Sequence, residues 1–200
     1  MKAAYIEEHG GPEVMRYGDV QDPIAGAGEV LVDVYAASVN GADWKVRSGA
    51  SGEITSFPYV LGRDFSGIVS ALGKGTDDFN VGDAVFGVCA GGQEGAYAEK
   101  IAVKASIIAR KPDSLSHIEA ASLALIGLTA LISIEDTLAL KLGETILIQG
   151  GAGGVASFAI QLAKHIGARV ITTASATNHN YLRRLGVDEI IDYNVEDFTD

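Results

Sequence analysis

Gly151, Gly153 and Ala156 stand in the spacing G-x-G-x-x-A, inside a run of small residues from Gly150 to Gly154. Glycines at that spacing suit the turn between a strand and a helix. The first supplies the turn, the second lets a pyrophosphate come close to the backbone, and the small third residue lets the helix pack on the strand. The flanks fit: Ile146, Leu147 and Ile148 form a branched apolar run before the glycines, and Val155 and Ala156 open an apolar helical run after them. Backbone amides at Gly151, Ala152, Gly153, Gly154 and Val155, together with the positive end of the helix dipole, would then hold the phosphates of a dinucleotide.

Other chemistry-bearing residues are sparse. His9, His117, His165 and His179 are scattered, and Cys89 is the single cysteine, so the sequence contains neither a ligand cluster nor a disulfide framework. A lone cysteine of this kind is expected to be a buried, inert thiol. Gly67 to Lys74 comes nearest to a phosphate loop, but its glycines are spaced too widely and Gly75, not Ser or Thr, follows the lysine.

The elements that must position the glycine turn follow from periodicity. Val155, Phe158, Ala159, Leu162 and Ile166 recur at helical spacing, opposite Ser157, Gln161, Lys164 and His165, and Gly167 closes the helix. A second strand is expected over 169–173, a short helix over 179–185 stopped by Gly186, and a third strand over 189–193. Strand, helix, strand, helix, strand is half of a doubly wound nucleotide-binding sheet, which right-handed crossovers make parallel.

Residues 1 to about 110 read differently. Val30, Val32 and Val34 alternate with Leu31, Asp33 and Tyr35, and further strands are expected around Ile68 and Val69, over 85–88 and over 97–103. Short strands punctuated by glycine suggest a small, partly closed barrel. From Ser116 the chain turns to Ala, Leu and Ile in a helical run, started by Ser116 with Glu119 three residues on, and the domain boundary is placed between residues 115 and 116. Gly127 inside that helix points to close approach or a break.

The net charge of −11 disfavours nucleic acid as a partner. No apolar run is expected to reach membrane-spanning length, and the first residues lack the apolar core of a signal peptide, so a membrane role is not expected and a cytoplasmic location is.

The blocks Asn40 to Gly49 (NGADWKVRSG), Leu61 to Gly67 (LGRDFSG), Val81 to Gly87 (VGDAVFG), Ala96 to Glu99 (AYAE), Gly127 to Ala130 (GLTA) and Gly150 to Ala156 occur in this order. Together they resemble the medium-chain dehydrogenases and reductases, and more narrowly their zinc-independent quinone oxidoreductase branch. The resemblance implies an α/β chain: a GroES-like β-rich partial barrel followed by the first half of a Rossmann sheet. It further implies NADPH-dependent hydride transfer to a quinone or an activated alkene, and homodimerisation through the nucleotide-domain sheet. A rival implied by some relatives is a non-enzymatic NADPH-binding structural or adaptor protein.

By motif, the zinc ligands of the metal-dependent branch fall on Asn40, Arg63 and Leu125. An amide, a guanidinium and an alkyl chain make no tetrahedral zinc site. The resemblance implies a site lined by Asn40, Asp43, Lys45 and Thr129, with Arg63 and Asp64 nearby. Each has a plainer alternative: Asp43 pairing with Arg47 on a surface turn, Arg63 pairing with Asp64, Trp44 packing, Thr129 bonding its own helix. Relatives carry a tyrosine where Lys45 stands, so Lys45 would orient an oxygen or touch the cofactor.

No carboxylate lies at the end of the second strand, where an NAD site wants one; Thr172, Thr173, Ala174 and Ser175 stand there, and the next acid along the chain is Asp188. A 2′-phosphate is therefore tolerated, with Ser175 and Asn178 as donors and, by resemblance, Tyr193 as a phosphate contact. Some relatives have lysine at Asn178, with Arg183 a possible substitute here. The sequence ends one mononucleotide half into the Rossmann fold, so 200 residues alone are expected to bind NADPH weakly and turn over little.

Overall fold

The computed structural model describes residues 1–51, 54 and 56–197. The chain forms two compact units, Met1–Leu125 and Ile126–Asp200.

The first unit is built on strands β1 (Lys2–Ile6), β2 (Arg16–Asp19), β3 (Glu29–Ala37), β4 (Tyr59–Val60), β5 (Asp64–Leu72), β6 (Ala84–Val88), β7 (Lys100–Lys104) and β8 (Ile108–Arg110), with helix α1 (Gly41–Ser48) between β3 and β4. An antiparallel sheet of order β7-β3-β5-β6-β8 carries the core, and a smaller antiparallel sheet has the order β2-β1-β4. Alternation on β3 buries Val30 and Val32 against Phe65, Val69, Val85, Ile101 and Val103. Register shifts at Leu31/Val32 and Val34/Ala36 bend β3 as bulges do. The two sheets meet where the Ala4 N–H donates to the Tyr97 carbonyl at 2.8 Å.

Sequence periodicity located β3, β5 and β6. It did not reveal β1, β2, β4, β8 or α1, and the strand expected over 97–103 begins only at Lys100, since Ala98 makes an isolated bridge to Ala3. Helix α1 is opened by reciprocal bonds: the Asn40 N–H donates to Asp43 Oδ2 at 2.7 Å and the Asp43 N–H to the Asn40 carbonyl at 3.0 Å. Gly49, at φ +81°, ends it.

Helix α2 (His117–Leu131) starts where Ser116 predicts. The Ser116 N–H donates to Glu119 Oε2 at 2.8 Å while the Glu119 N–H donates to Ser116 Oγ at 3.2 Å, a capping box. Helical backbone continues as a π-type segment over Ile132–Thr137. The resulting 21-residue helix is long and apolar enough to cross a membrane, contrary to the expectation that no apolar segment reaches that length. The same length and composition suit a core helix, and Ala120, Ala121, Ala124, Ala130 and Ile134 are buried. Gly127 causes no break; a Cβ there would lie 3.6 Å from the Phe158 ring, an ordinary contact.

In the second unit, β9 (Thr145–Ile148), β10 (Arg169–Thr173) and β11 (Glu189–Ile191) form a parallel sheet of order β11-β10-β9, with α3 (Gly154–Ile166) and α4 (His179–Arg184) as crossovers. Ile146 and Val170 face Ala159, Ile160, Ala163 and Leu182 in its core. Of the stripe expected on α3, Ala159 is buried and Phe158, Leu162 and Ile166 pack against this core; Val155 is exposed instead, and Ile160 and Ala163 are sealed. The third strand stops at Ile191, leaving Tyr193 in the following turn.

Candidate functional site

The glycine turn lies between the end of β9 and the start of α3. Gly150, at φ +67°, is the residue that turns the chain, so the role expected of Gly151 belongs to its neighbour. Gly151 is small for another reason: a Cβ there would collide with Thr172 Oγ1 and come within 3.1 Å of Leu182 Cδ2. Its amide donates to the Thr173 carbonyl at 3.0 Å, the Gly150 amide to Thr173 Oγ1 at 3.0 Å, and the Gly153 amide to the Gly150 carbonyl at 2.9 Å. The turn is therefore fastened to β10. Ala152, Gly153, Gly154 and Val155 stay exposed, and the amides of Ala152, Gly154, Val155 and Ala156 have no acceptor among the described residues. Unfilled N–H groups at the positive end of a helix of 13 residues form a cradle for phosphate oxygens.

At the end of β10, Asn178 Nδ2 donates to Ser175 Oγ at 3.2 Å, and Ser175 Oγ lies 3.1 Å from Thr177 Oγ1. These two expected donors are brought together. Tyr193 is half-exposed beyond β11. Arg183 is tied to Asn180 Oδ1 at 3.1 Å. Counting carboxylates along β10 alone missed one, because parallel pairing of β10 with β11 carries Asp192, just past Ile191, to this end of the sheet. Hydrogen bonds from the Asn194 amide, chiefly, hold Asp192 below the usual carboxylate range. Thr129 is exposed on α2, and its carbonyl accepts the Ser133 hydroxyl at 2.8 Å.

In the first unit, Asn40 and Asp43 belong to one polar network. Asp43 Oδ2 accepts the Tyr97 hydroxyl at 2.7 Å in addition to the Asn40 amide. Asn40 Nδ2 donates to Ser38 Oγ at 3.1 Å, and Ser38 Oγ donates to Asp64 Oδ2 at 2.7 Å. The Leu125 amide reaches the same Asp64 oxygen at 3.3 Å. Asp43 and Asp64 are buried, and the second oxygen of each meets no donor among the described residues. Burial raises the Asp64 pKa above the ordinary carboxylate value, against the hydrogen bond from Ser38. Burial and the bond to Asp43 push the Tyr97 hydroxyl up.

Neither plain pairing weighed from sequence is present. Arg47 Nε donates to the Gly10 carbonyl at 3.3 Å instead of meeting Asp43. Arg63 turns from Asp64 to Glu94, 2.9 Å from Nη2. Lys45 is exposed on α1, 5.9 Å over the half-exposed Trp44 ring. Cys89 is buried, and its thiol is pushed up to about 12 by desolvation and the nearby charges of Glu94 and Asp64. Among the described residues no group of three or more His, Cys, Asp or Glu side chains could hold a metal ion. Sequence reasoning passed over Ser38, Tyr59, Glu94 and Tyr97; only Tyr97 stood in a quoted motif.

Residues 26–113 match the alcohol dehydrogenase GroES-like domain. A quinone oxidoreductase from Coxiella burnetii is 41% identical with a TM-score of 0.91, over 99% of this chain and 64% of that one. The chain belongs to the medium-chain dehydrogenase/reductase superfamily. Within that superfamily it falls in the quinone oxidoreductase-like branch, and its two units are a GroES-like β-rich domain and the start of a Rossmann-like parallel sheet. The Escherichia coli quinone oxidoreductase, solved in complex with NADPH, has a TM-score of 0.90 at 32% identity, covering 98% of this chain and 60% of that one. The 2-methylene-furan-3-one reductase of Solanum lycopersicum is 36% identical over 100% of this chain and 54% of its own length. This superfamily member thus spans little more than half the length of such relatives.

Proposed function

We propose that the whole protein is an oxidoreductase that passes a hydride from NADPH to a quinone or an activated alkene, without zinc. The observation that carries this reading is the cradle of unfilled amides at Ala152, Gly154 and Val155 on a turn whose glycines permit close approach. Its relatives include a quinone oxidoreductase solved in complex with NADPH and a 2-methylene-furan-3-one reductase. When bound, the nicotinamide supplies the hydride, and the protein supplies position and exclusion of water.

The phosphates are assigned to the cradle and the 2′-phosphate to Ser175, Asn178 and Tyr193. Thr129 is assigned to the nicotinamide side, and Asn40, Asp43, Lys45 and Arg63 to the acceptor. The zinc-free part rests on donor chemistry. Asn40 spends its amide on Ser38, Arg63 is engaged by Glu94, and Leu125 offers no side-chain donor.

The test is fluorescence titration of the complete gene product with NADPH, followed by oxidation against a panel of quinones and enones, with metal analysis of the same sample. Binding with turnover and no stoichiometric zinc is expected. Binding without turnover on any acceptor would reduce the reading to a nucleotide-binding module.

A further inference from the structure

We propose that Glu94 is a positioning residue that turns Arg63 into a fork for the acceptor's carbonyl oxygen; this rests on the hydride-transfer reading above. Glu94 is delivered to Arg63 by backbone pairing. The amides of Gly95 and Ala96 donate to the Gly62 carbonyl at 3.1 Å each, the Tyr97 amide to the Leu61 carbonyl at 2.9 Å, and the Cys89 amide to the Arg63 carbonyl at 2.8 Å. The segment 89–97 therefore clamps residues 61–63 along their length.

The side chains complete the arrangement. Arg63 Nε donates to Glu94 Oε1 at 3.1 Å and Nη2 lies 2.9 Å from the same oxygen, while Glu94 Oε2 accepts the Tyr59 hydroxyl. The Glu94 side chain is only 1% exposed and that of Arg63 is 25% exposed. Burial works to raise the Glu94 pKa, but the Tyr59 hydroxyl, backbone amides and the Arg63 charge outweigh it and keep the carboxylate ionised. One edge of the guanidinium is thus locked against a buried anion. Nη1, on the other edge, has no acceptor among the described residues, and no Arg63 nitrogen is both buried and unpartnered, so that edge is open to an incoming oxygen.

An open N–H pair on a guanidinium of fixed orientation suits an oxygen that gains charge during reaction. With an enone, the hydride breaks from NADPH, which becomes NADP⁺, and forms a C–H bond at the β-carbon. The alkene pair shifts and the carbonyl oxygen becomes an enolate oxygen, which Arg63 Nη1 meets; water then supplies the proton at the α-carbon. Glu94 never touches the acceptor. Its part is to hold the fork and to offset the cost of a half-buried cation.

The test uses the complete gene product and the variants R63A, R63K, E94A, E94Q, Y59F and R63A/E94A, each checked for folding by thermal melt. R63A is expected to lower kcat by roughly a hundredfold, the size seen when one oxyanion donor is removed, with NADPH affinity by fluorescence within about twofold. E94A should lower kcat roughly tenfold, with E94Q and Y59F milder, because Arg63 stays but swings. Added guanidinium ion should restore turnover to R63A but not to R63A/E94A, a dependence that a purely structural ion pair would not produce. Turnover of E94A equal to that of the parent, or rescue that ignores Glu94, would overturn the inference alone. A parent that binds NADPH yet reduces no quinone or enone would overturn the hydride-transfer reading, and the inference with it.

Discussion

Ser38 Oγ donates to Asp64 Oδ2 at 2.7 Å, while Asp64 Oδ1, equally buried, meets no donor among the described residues. Such a carboxyl group holds its proton more firmly when the chain is folded, because burial penalises the charged form. Between the ordinary carboxylate pKa, about 3.9, and the higher folded value, the native state therefore binds more protons than the unfolded chain, and stability falls as pH rises through that window. Asp64→Asn keeps an acceptor for Ser38 and removes the titration. Urea unfolding at a series of pH values should show the variant gaining on the parent from acid to neutral pH; parallel curves would refute the assignment.

Cys89, with its thiol pushed up to about 12 and its side chain buried, carries almost no thiolate near neutrality. Iodoacetamide at pH 8 should leave it unmodified in the native protein and alkylate it in urea, as mass spectrometry will read. Since its folded pKa is raised, Cys89 also makes stability decline as pH climbs from about 9 towards 12.

Two glycines separate packing from conformation. Gly151→Ala forces a Cβ onto Thr172 on β10 and should cost about 1–3 kcal/mol, with NADPH affinity falling alongside. Gly127→Ala meets only the Phe158 ring at 3.6 Å and should stabilise α2 by up to about 1 kcal/mol. Chemical denaturation of both variants decides; equal effects would mean that the turn is slacker than its geometry.

The Ser116 and Glu119 bonds that open α2 should be measurable as well. Ser116→Ala removes a hydroxyl that accepts the Glu119 amide and donates to its carboxylate, for a loss of about 1 kcal/mol. Calorimetry checks this, and an unchanged Tm would show that the cap adds nothing.

What the sequence disclosed was local. The strand, glycine turn and helix from Thr145 to Ile166, the cap at Ser116 and the glycine stops at Gly167 and Gly186 depend on neighbours within a few turns, so spacing alone exposes them. It could not say which glycine carries the positive φ, because the fingerprint records size and not dihedral angle, and Gly150 took the place expected of Gly151. Strands as short as β4 and β8 have too few residues to alternate. Helix α1 was readable, with Asn40, Asp43 and Gly49 at start and stop, yet its residues drew notice only as a motif. Arg63 with Glu94, and Asp43 with Tyr97, lie 31 and 54 residues apart and meet only through long-range tertiary contacts, such as the backbone pairing of 89–97 with 61–63. No periodicity reports such pairs.

The pairing of β3 with β7 sets an order of events for a chain made from its N-terminus. Asp33 and Lys100, aligned across these strands, are 67 residues apart, whereas Thr172 and Ile148 on the parallel sheet are separated by 24. The difference in closure entropy is only about 1 kcal/mol, but the delay is absolute: β3 has no β7 to pair with until residue 104 has left the ribosome. A nascent chain paused before that point carries a valine-rich strand with the edge that β7 will cover still bare, the kind of edge on which other chains can pair. The later βαβ unit closes within thirty residues of its own start.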